Sequence, residues 1–273
     1  MPTVRRSLVR RSILRALRWI LPDAASTFVD SVAFAAYLAR DPRTFFRYLD
    51  LLLEPRAPVA LSLRGLDHPI FLRPSTSDAL VAFGTLGRRY HLPPVALRED
   101  ATIIDLGANV GLTTADYASR YPKATIIAVE MDDENAAMAV RNTATYRDRV
   151  TVIQAAAWWE ETRLSYTREA GDEWGFAIGE RGDHEVATVT LVDLIEKYGP
   201  VDFIKMDIEG AEREVLSKNT AWASAVRSIQ VEIHEPYTME QCEHDLRELG
   251  FVPEPHPWHV ASVNATRGPA EVS

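Results

Sequence analysis

Two groups of residues in this chain are spaced for chemistry. The first is Asp105-x-Gly107-x-Asn109-x-Gly111, closing the stretch ATIIDLGANVG, with a second acid, Glu130, ending the next apolar run, TIIAVE. The second is a pair of alternating trios. Lys205, Asp207 and Glu209 alternate with Met206 and Ile208, and Gln230, Glu232 and His234 alternate with Val231 and Ile233. Alternate residues of an extended chain face the same way, so each trio tends to one side of its strand's end. Ligands of open α/β sheets bind outside the carboxyl ends of the strands. Carboxylates brought close there raise one another's pKa, which suits proton transfer near neutrality.

The glycine loop limits the ligand. A dinucleotide fingerprint has three glycines, G-x-G-x-x-G, so that backbone can approach a pyrophosphate. Here Asn109 stands at the second glycine and Leu112 at the third. A Walker loop is excluded because no Gly-Lys-Ser/Thr follows. What remains is a tight turn without a phosphate cradle, which fits a phosphate-free nucleoside, S-adenosylmethionine. Glu130 is placed to accept hydrogen bonds from both ribose hydroxyls. Asp105 is expected to brace the loop through backbone N–H groups and to reach the ligand's amino group.

Methyl transfer from a sulfonium needs an aligned acceptor and a place for its proton. Asp207 is the first candidate base and His234 the second, with Lys205 and Glu232 completing the catalytic set and Glu209 touching the acceptor. The same spacing also admits a structural arrangement in which Lys205 pairs with Glu232 and Glu209 caps the following helix. Glu212, further along that helix, is expected to be solvated or capping. Asp207, Glu232 and His234 would also suit Mg²⁺, a hard cation that takes oxygen ligands and keeps several waters. The spacing permits an ion without requiring one.

The elements that must position these groups follow from periodicity. Residues 1–56 form a helical extension broken at Pro22 and Pro42, and residues 57–98 a strand pair around Gly65-Leu66-Asp67 followed by a helix. That helix is capped near Ser75–Ser77 and finished before Pro93-Pro94. From 99 to 273 strands alternate with helices: TIIDLG, TIIAVE, VTVIQA, VDFIKMD and SIQVEIH are near-continuous apolar runs, as in a parallel sheet covered on both faces. A β-hairpin insertion at about 160–188 adds aromatic residues, and Trp174, flanked by Gly171 and Gly175, is a candidate platform for a sugar ring. Two short strands close the chain after a helix stopped by Gly250.

The segments IIDLGANVG, VDFIKMDIEGAEREVL and VEIHE closely resemble the FkbM-type methyltransferases. That family recurrently shows D-x-G-A-N-x-G and later D-x-x-K-x-D-x-E-G-x-E, the latter here Asp202, Lys205, Asp207, Glu209, Gly210 and Glu212. RPSTSD and RRYHLP look like the family's lead-in, so the likeness spans residues 70–250. The resemblance implies a class I methyltransferase (Rossmann-like) fold: a mostly parallel doubly wound sheet with an antiparallel C-terminal strand. It implies S-adenosylmethionine as donor and a hydroxyl oxygen as acceptor. It also adds Met131 and Ala155 to Asp105, Gly107, Asn109, Gly111 and Glu130 in the donor site.

Charge and composition exclude other classes. The 273 residues carry a net charge of −9, yet residues 1–21 hold only basic side chains: Arg5, Arg6, Arg10, Arg11, Arg15 and Arg18. The remaining body is therefore at −15, and it would repel a nucleic-acid backbone. DIEG also stands where base methyltransferases show an Asn/Asp-Pro-Pro-aromatic motif. One cysteine, Cys242, allows no internal disulfide and points to a reducing, cytoplasmic setting. Arg15 and Arg18 interrupt what would be a signal core, and STFVDSVAFAAYLA is too short to span a bilayer. The basic helix either packs on the domain or lies on an anionic membrane face as a peripheral contact. The expected acceptor is a sugar hydroxyl of a glycan, glycolipid or glycosylated metabolite. A polyketide-like metabolite and a non-catalytic scaffold are the alternatives, and nothing in the sequence indicates the oligomeric state.

Overall fold

Asp41 accepts the backbone N–H of Thr44 and so opens helix α1 (Pro42–Asp50), in a computed structural model that describes residues 32–33, 35–51, 57–74, 76–168, 176–179 and 182–268. Pro42 thus begins a helix, because its missing N–H would be orphaned in the first turn anyway. The basic N-terminal segment and Trp174 lie outside the described residues. Strands β1 (Val59–Leu61) and β2 (Ile70–Leu72) pair antiparallel around the expected turn. Helix α2 (Asp78–Ala82) widens into a π-helical turn, Phe83–Arg88, and stops at Arg89 in the left-handed region. The regular helix expected to run on toward Pro93 is therefore shorter. Wide turns of this kind recur at functional sites.

The main body follows as β3 (Thr102–Leu106), α3 (Leu112–Arg120), β4 (Thr125–Glu130), α4 (Asp133–Thr143) and β5 (Val150–Gln154). An insertion holds β6 (Ala156–Ala157), β7 (Arg163–Arg168), β8 (Phe176–Gly179) and β9 (His184–Val189). Then come α5 (Leu191–Tyr198), β10 (Phe203–Met206), α6 (Glu212–Ser217), β11 (Ser228–Glu232), α7 (Met239–Glu248), β12 (Val252–Pro255) and β13 (Ser262–Thr266). Seven strands form one sheet in the order β12-β13-β11-β10-β3-β4-β5. From β11 to β5 the neighbours are parallel, while β13 runs antiparallel to β11 and β12 antiparallel to β13. This is the class I methyltransferase architecture, a Rossmann-like doubly wound sheet. The insertion is larger than a hairpin: β7 pairs with both β8 and β9, and β6 joins parallel to β9.

The apolar runs are continuous because both faces are covered. Ile103 and Phe203 pack into one core with Tyr117 of α3 and Leu72 of the lead-in. Ile104, Met206 and Ile229 pack into another with Leu194 of α5 and Leu246 of α7. From β3 the chain winds outward to β4 and β5, then returns past β3 to β10 and β11. The strand order therefore reverses between β3 and β10, and a crevice opens at their carboxyl ends. Among the described residues no helix is long and apolar enough to cross a membrane.

Helix α3 begins at Gly111, whose φ of 78° is left-handed and whose added Cβ would lie 2.8 Å from the Ala139 Cα of α4. Gly111→Ala is expected to destabilise the fold by about 1–3 kcal/mol, from backbone strain and lost helix contact. Urea unfolding of the two proteins measures it.

Candidate functional site

The loop between β3 and α3 spends its own donors. The N–H groups of Gly107 and Ala108 both donate to the Val129 carbonyl at 3.0 Å, and that of Gly111 donates to Ala108 at 2.9 Å. Asn109 donates to Glu130 Oε2 at 2.7 Å, and Val110 donates to the Asn109 side chain at 2.7 Å. No N–H from 107 to 111 is left for a phosphate, whose usual cradle is a set of such groups. Gly107 is required by a close crossing: at φ 76°, an added Cβ would sit 1.6 Å from the Asp207 carbonyl oxygen.

Glu130 ends β4 beneath this loop. Its second oxygen accepts the Asp132 N–H at 2.9 Å, and burial pushes its carboxyl up to about 7. Each carboxylate oxygen keeps a further lone pair, so Glu130 can still receive hydroxyls from the cleft it lines.

Lys205 is the strut behind the loop. Its Nζ donates to the Gly107 carbonyl at 2.9 Å, lies 3.1 Å from Asp207 Oδ2 and 3.7 Å from Asp105 Oδ1. Burial opposes its charge, but Asp207 and Asp105 outweigh it and hold Lys205 well above its ordinary value, permanently as ammonium. The alternative pair with Glu232 is not formed. Asp105 is fully buried, accepts the Thr114 hydroxyl at 2.6 Å and does not line the cleft. It braces the loop through Lys205 and Thr114, where backbone N–H groups were expected. Burial pushes its carboxyl up against the opposing pull of Lys205.

Strand β10 stops at Met206, and the turn after it bends sharply, with Glu209 at φ 52° and Gly210 at φ 100°. Glu212 holds that turn. Its carboxylate accepts N–H groups of Ile208 at 3.1 Å and Gly210 at 2.9 Å, and binds His234 Nδ1 at 2.8 Å. Glu212 is fully buried, contrary to a solvated role, and it supplies the bracing expected of Glu209. Glu209 is left to face His234 Nε2 at 3.3 Å, with Asp207 Oδ1 3.8 Å from the same nitrogen.

The charges in this cluster are strongly coupled. Burial disfavours a charged His234, but the bond to Glu212 and the carboxylates of Glu212, Glu209 and Asp207 outweigh it and push the imidazole up to about 9. These acids favour the charged imidazole, which makes His234 a weaker candidate base than a carboxylate. Burial, then the charge of Asp207, push Glu209 up to about 7 and Glu232 up to about 8. Glu232 also lies 3.6 Å from His259 Nε2.

A cleft of about 140 Å³ runs along the switch point. Gly107, Asn109, Glu130, Met131, Ala155, Lys205, Asp207 and Glu209 line it, whereas Asp105, Gly111, Glu232 and His234 do not. Gly111 is instead a helix-packing glycine. The lead-in supplies a wall that the sequence reading missed, formed by Leu80, Val81, Gly84, Thr85 and Tyr90. Tyr90 accepts Gln230 Nε2 at its carbonyl and stacks on His259 at 4.7 Å. Its only sequence signal is the RRYHLP lead-in. Tyr166 is buried against His184 and Lys218 covers Trp159, and neither aromatic lines the cleft.

The family profile described as Methyltransferase FkbM domain matches residues 105–254, from the buried acid of β3 to the end of β12. The chain belongs to the FkbM methyltransferase family. No curated protein matches it. Among solved structures it is similar to the methyltransferase FkbM from Methylobacillus flagellatus KT, at 14% identity and a TM-score of 0.49, over 88% of this chain and 59% of that one. The chain thus spans about 59% of that relative's length. It is also similar to M. jannaschii TYW2 in complex with AdoMet, at 13% identity and a TM-score of 0.43, over 78% of this chain and 88% of that one. The precorrin-6y C5,15-methyltransferase from Geobacter metallireducens GS-15 shares 14% identity at a TM-score of 0.41, over 72% of this chain and 92% of that one.

In this FkbM-family chain the buried ammonium compensates two acids at once. Lys205→Met strands Asp105 without a counter-charge and is expected to cost about 3–5 kcal/mol, the usual effect of breaking a buried pair from one side. Chemical denaturation of the folded variant tests this, and a loss under 1 kcal/mol (about the value of an exposed pair) would contradict the strut.

Proposed function

We propose that this FkbM-family chain is an S-adenosylmethionine-dependent O-methyltransferase whose acceptor is a sugar hydroxyl in a glycan, glycolipid or glycosylated metabolite. The observation that carries the reading is the glycine loop with every N–H from 107 to 111 already bonded, above an acid, Glu130, that faces the cleft. Such a loop suits a nucleoside with ribose hydroxyls and no phosphates. Acids lining the same cleft favour a cationic ligand. S-adenosylmethionine, when bound, supplies a methyl group already activated by its sulfonium. Glu130 would hold the ribose, and Met131 with Ala155 would flank the base.

At the other end, Asp207 and Glu209 line the cleft, with Glu232 and His234 beside them. Several hydrogen-bond acceptors around one imidazolium suit the vicinal hydroxyls of a sugar. Asp207 is committed to Lys205, so it is better placed to orient the acceptor than to take a proton. Glu209, which lines the cleft outside the reach of the Lys205 hydrogen bonds, is the proton acceptor in this reading. Alignment of the acceptor oxygen can supply several kcal/mol.

Calorimetry is expected to show S-adenosylhomocysteine binding well above NAD, and Glu130→Ala is expected to weaken it by about 1–3 kcal/mol through lost charged hydrogen bonds. Equal or tighter binding of NAD would overturn the donor. With a panel of glycosides as acceptors and released S-adenosylhomocysteine as readout, Glu209→Gln is expected to lower turnover by about 10²–10⁴-fold. Its affinity for S-adenosylhomocysteine should stay unchanged, and near-normal turnover would remove Glu209 as the base.

A further inference from the structure

We infer that Asp207, Glu232 and His234 form a divalent-cation site beside the cleft, reached through Asp207, which lines it, and suited to Mn²⁺ and, more weakly, Mg²⁺. One ligand atom from each of the three lies within 4.8 Å of the others. The residues come from adjacent strand ends: β10 and β11 pair in parallel with Met206 opposite Val231, so Asp207 and Glu232 follow at neighbouring positions. The imidazole is aimed by a group outside the trio. Glu212 binds Nδ1 and is itself fixed by two backbone N–H groups, which leaves Nε2 as the nitrogen facing Asp207. A carboxylate on the other ring nitrogen is the usual support of a metal-ligating histidine.

The local charge points the same way. Among the described residues, the acids Asp105, Asp207, Glu209, Glu212 and Glu232 are paired here with Lys205, His234 and His259. Ligation releases to solvent the protons that Nε2 and the Glu232 carboxyl carry, and the ion supplies positive charge among these acids. Two carboxylates with remaining water positions suit Mg²⁺ and Mn²⁺, while the imidazole shifts the preference to the softer Mn²⁺. Glu209, 3.3 Å from the same Nε2, is the acid that an ion bound there would displace from the imidazole. The site's use, polarising an acceptor hydroxyl, rests on the methyltransferase reading, but its existence does not.

The test is Mn²⁺ titration of chelator-treated full-length protein, followed by electron paramagnetic resonance of free Mn²⁺, with calorimetry for Mg²⁺. Saturable binding is expected, weakened by about 10–100-fold or more in Glu232→Gln and in His234→Gln, with Glu212→Gln weakened by the same factor as an outer support. Glu243→Gln, an acid on α7 paired with Arg247 and outside the trio, should bind as the parent does. Should a site variant fail to fold, the nitrogen coupling of a ligating imidazole in the Mn²⁺ spectrum of the parent protein gives the same answer. No saturable binding, or equal affinity in the Glu232 and His234 variants, would overturn the site. S-adenosylhomocysteine binding without metal binding would remove this inference alone, and metal binding without it would remove the donor assignment alone.

Discussion

One buried ammonium holds the functional end of this protein together. Lys205 sits on β10, yet two of its three contacts, the Gly107 carbonyl and Asp105, reach across to β3 and the loop after it, and the third is its own neighbour Asp207. A charge this deeply buried is tolerable only with its hydrogen bonds made and its counter-charges beside it. Those partners therefore cannot be moved independently. The crossing that forbids a Cβ at Gly107 is the backbone side of the same constraint, because it lets the loop lie directly on the Asp207 carbonyl. Glycine loop and acid cluster are thus one unit built across the switch point.

Glu212 plays the corresponding part on the far side of the turn. A carboxylate with no exposure joins two N–H groups of the left-handed turn to the imidazole of His234. This fixes where Glu209 points and which imidazole nitrogen faces the acids. It also decides the charge of His234, since a histidine pressed against a buried carboxylate keeps its proton. The basicity at this edge then resides in carboxylates raised toward neutrality by burial and by one another, a distribution suited to accepting protons at physiological pH.

The cleft is closed by parts of the chain that lie far apart in sequence. The π-helical turn of the lead-in brings Gly84 and Thr85 to one wall, while Ala155 to Ala157, where the inserted sheet begins, leave room on another. Tyr90 links the lead-in to β11 through Gln230 and to the β12–β13 connection through His259. This side of the cleft is therefore assembled from the second and last quarters of the chain around a central sheet.

By itself the sequence determined the sheet and its floor. Near-continuous apolar runs demanded strands covered on both faces, and the missing second and third glycines ruled out a phosphate cradle before any coordinates. The alternation in IKMDIEG and IQVEIHE correctly brought Lys205, Asp207, Glu232 and His234 to neighbouring strand ends, because side-chain direction in a strand is a local property. What only the tertiary structure decided was partnership and charge. Lys205 chose Asp105 over Glu232, Gly111 turned to α4, Glu212 became buried, and His234 became a cation. Tyr90 entered the cleft from a segment whose pattern signalled only a lead-in. Each of these depends on distances between residues remote along the chain, and burial and Coulomb energies are set by such distances, which no local pattern encodes.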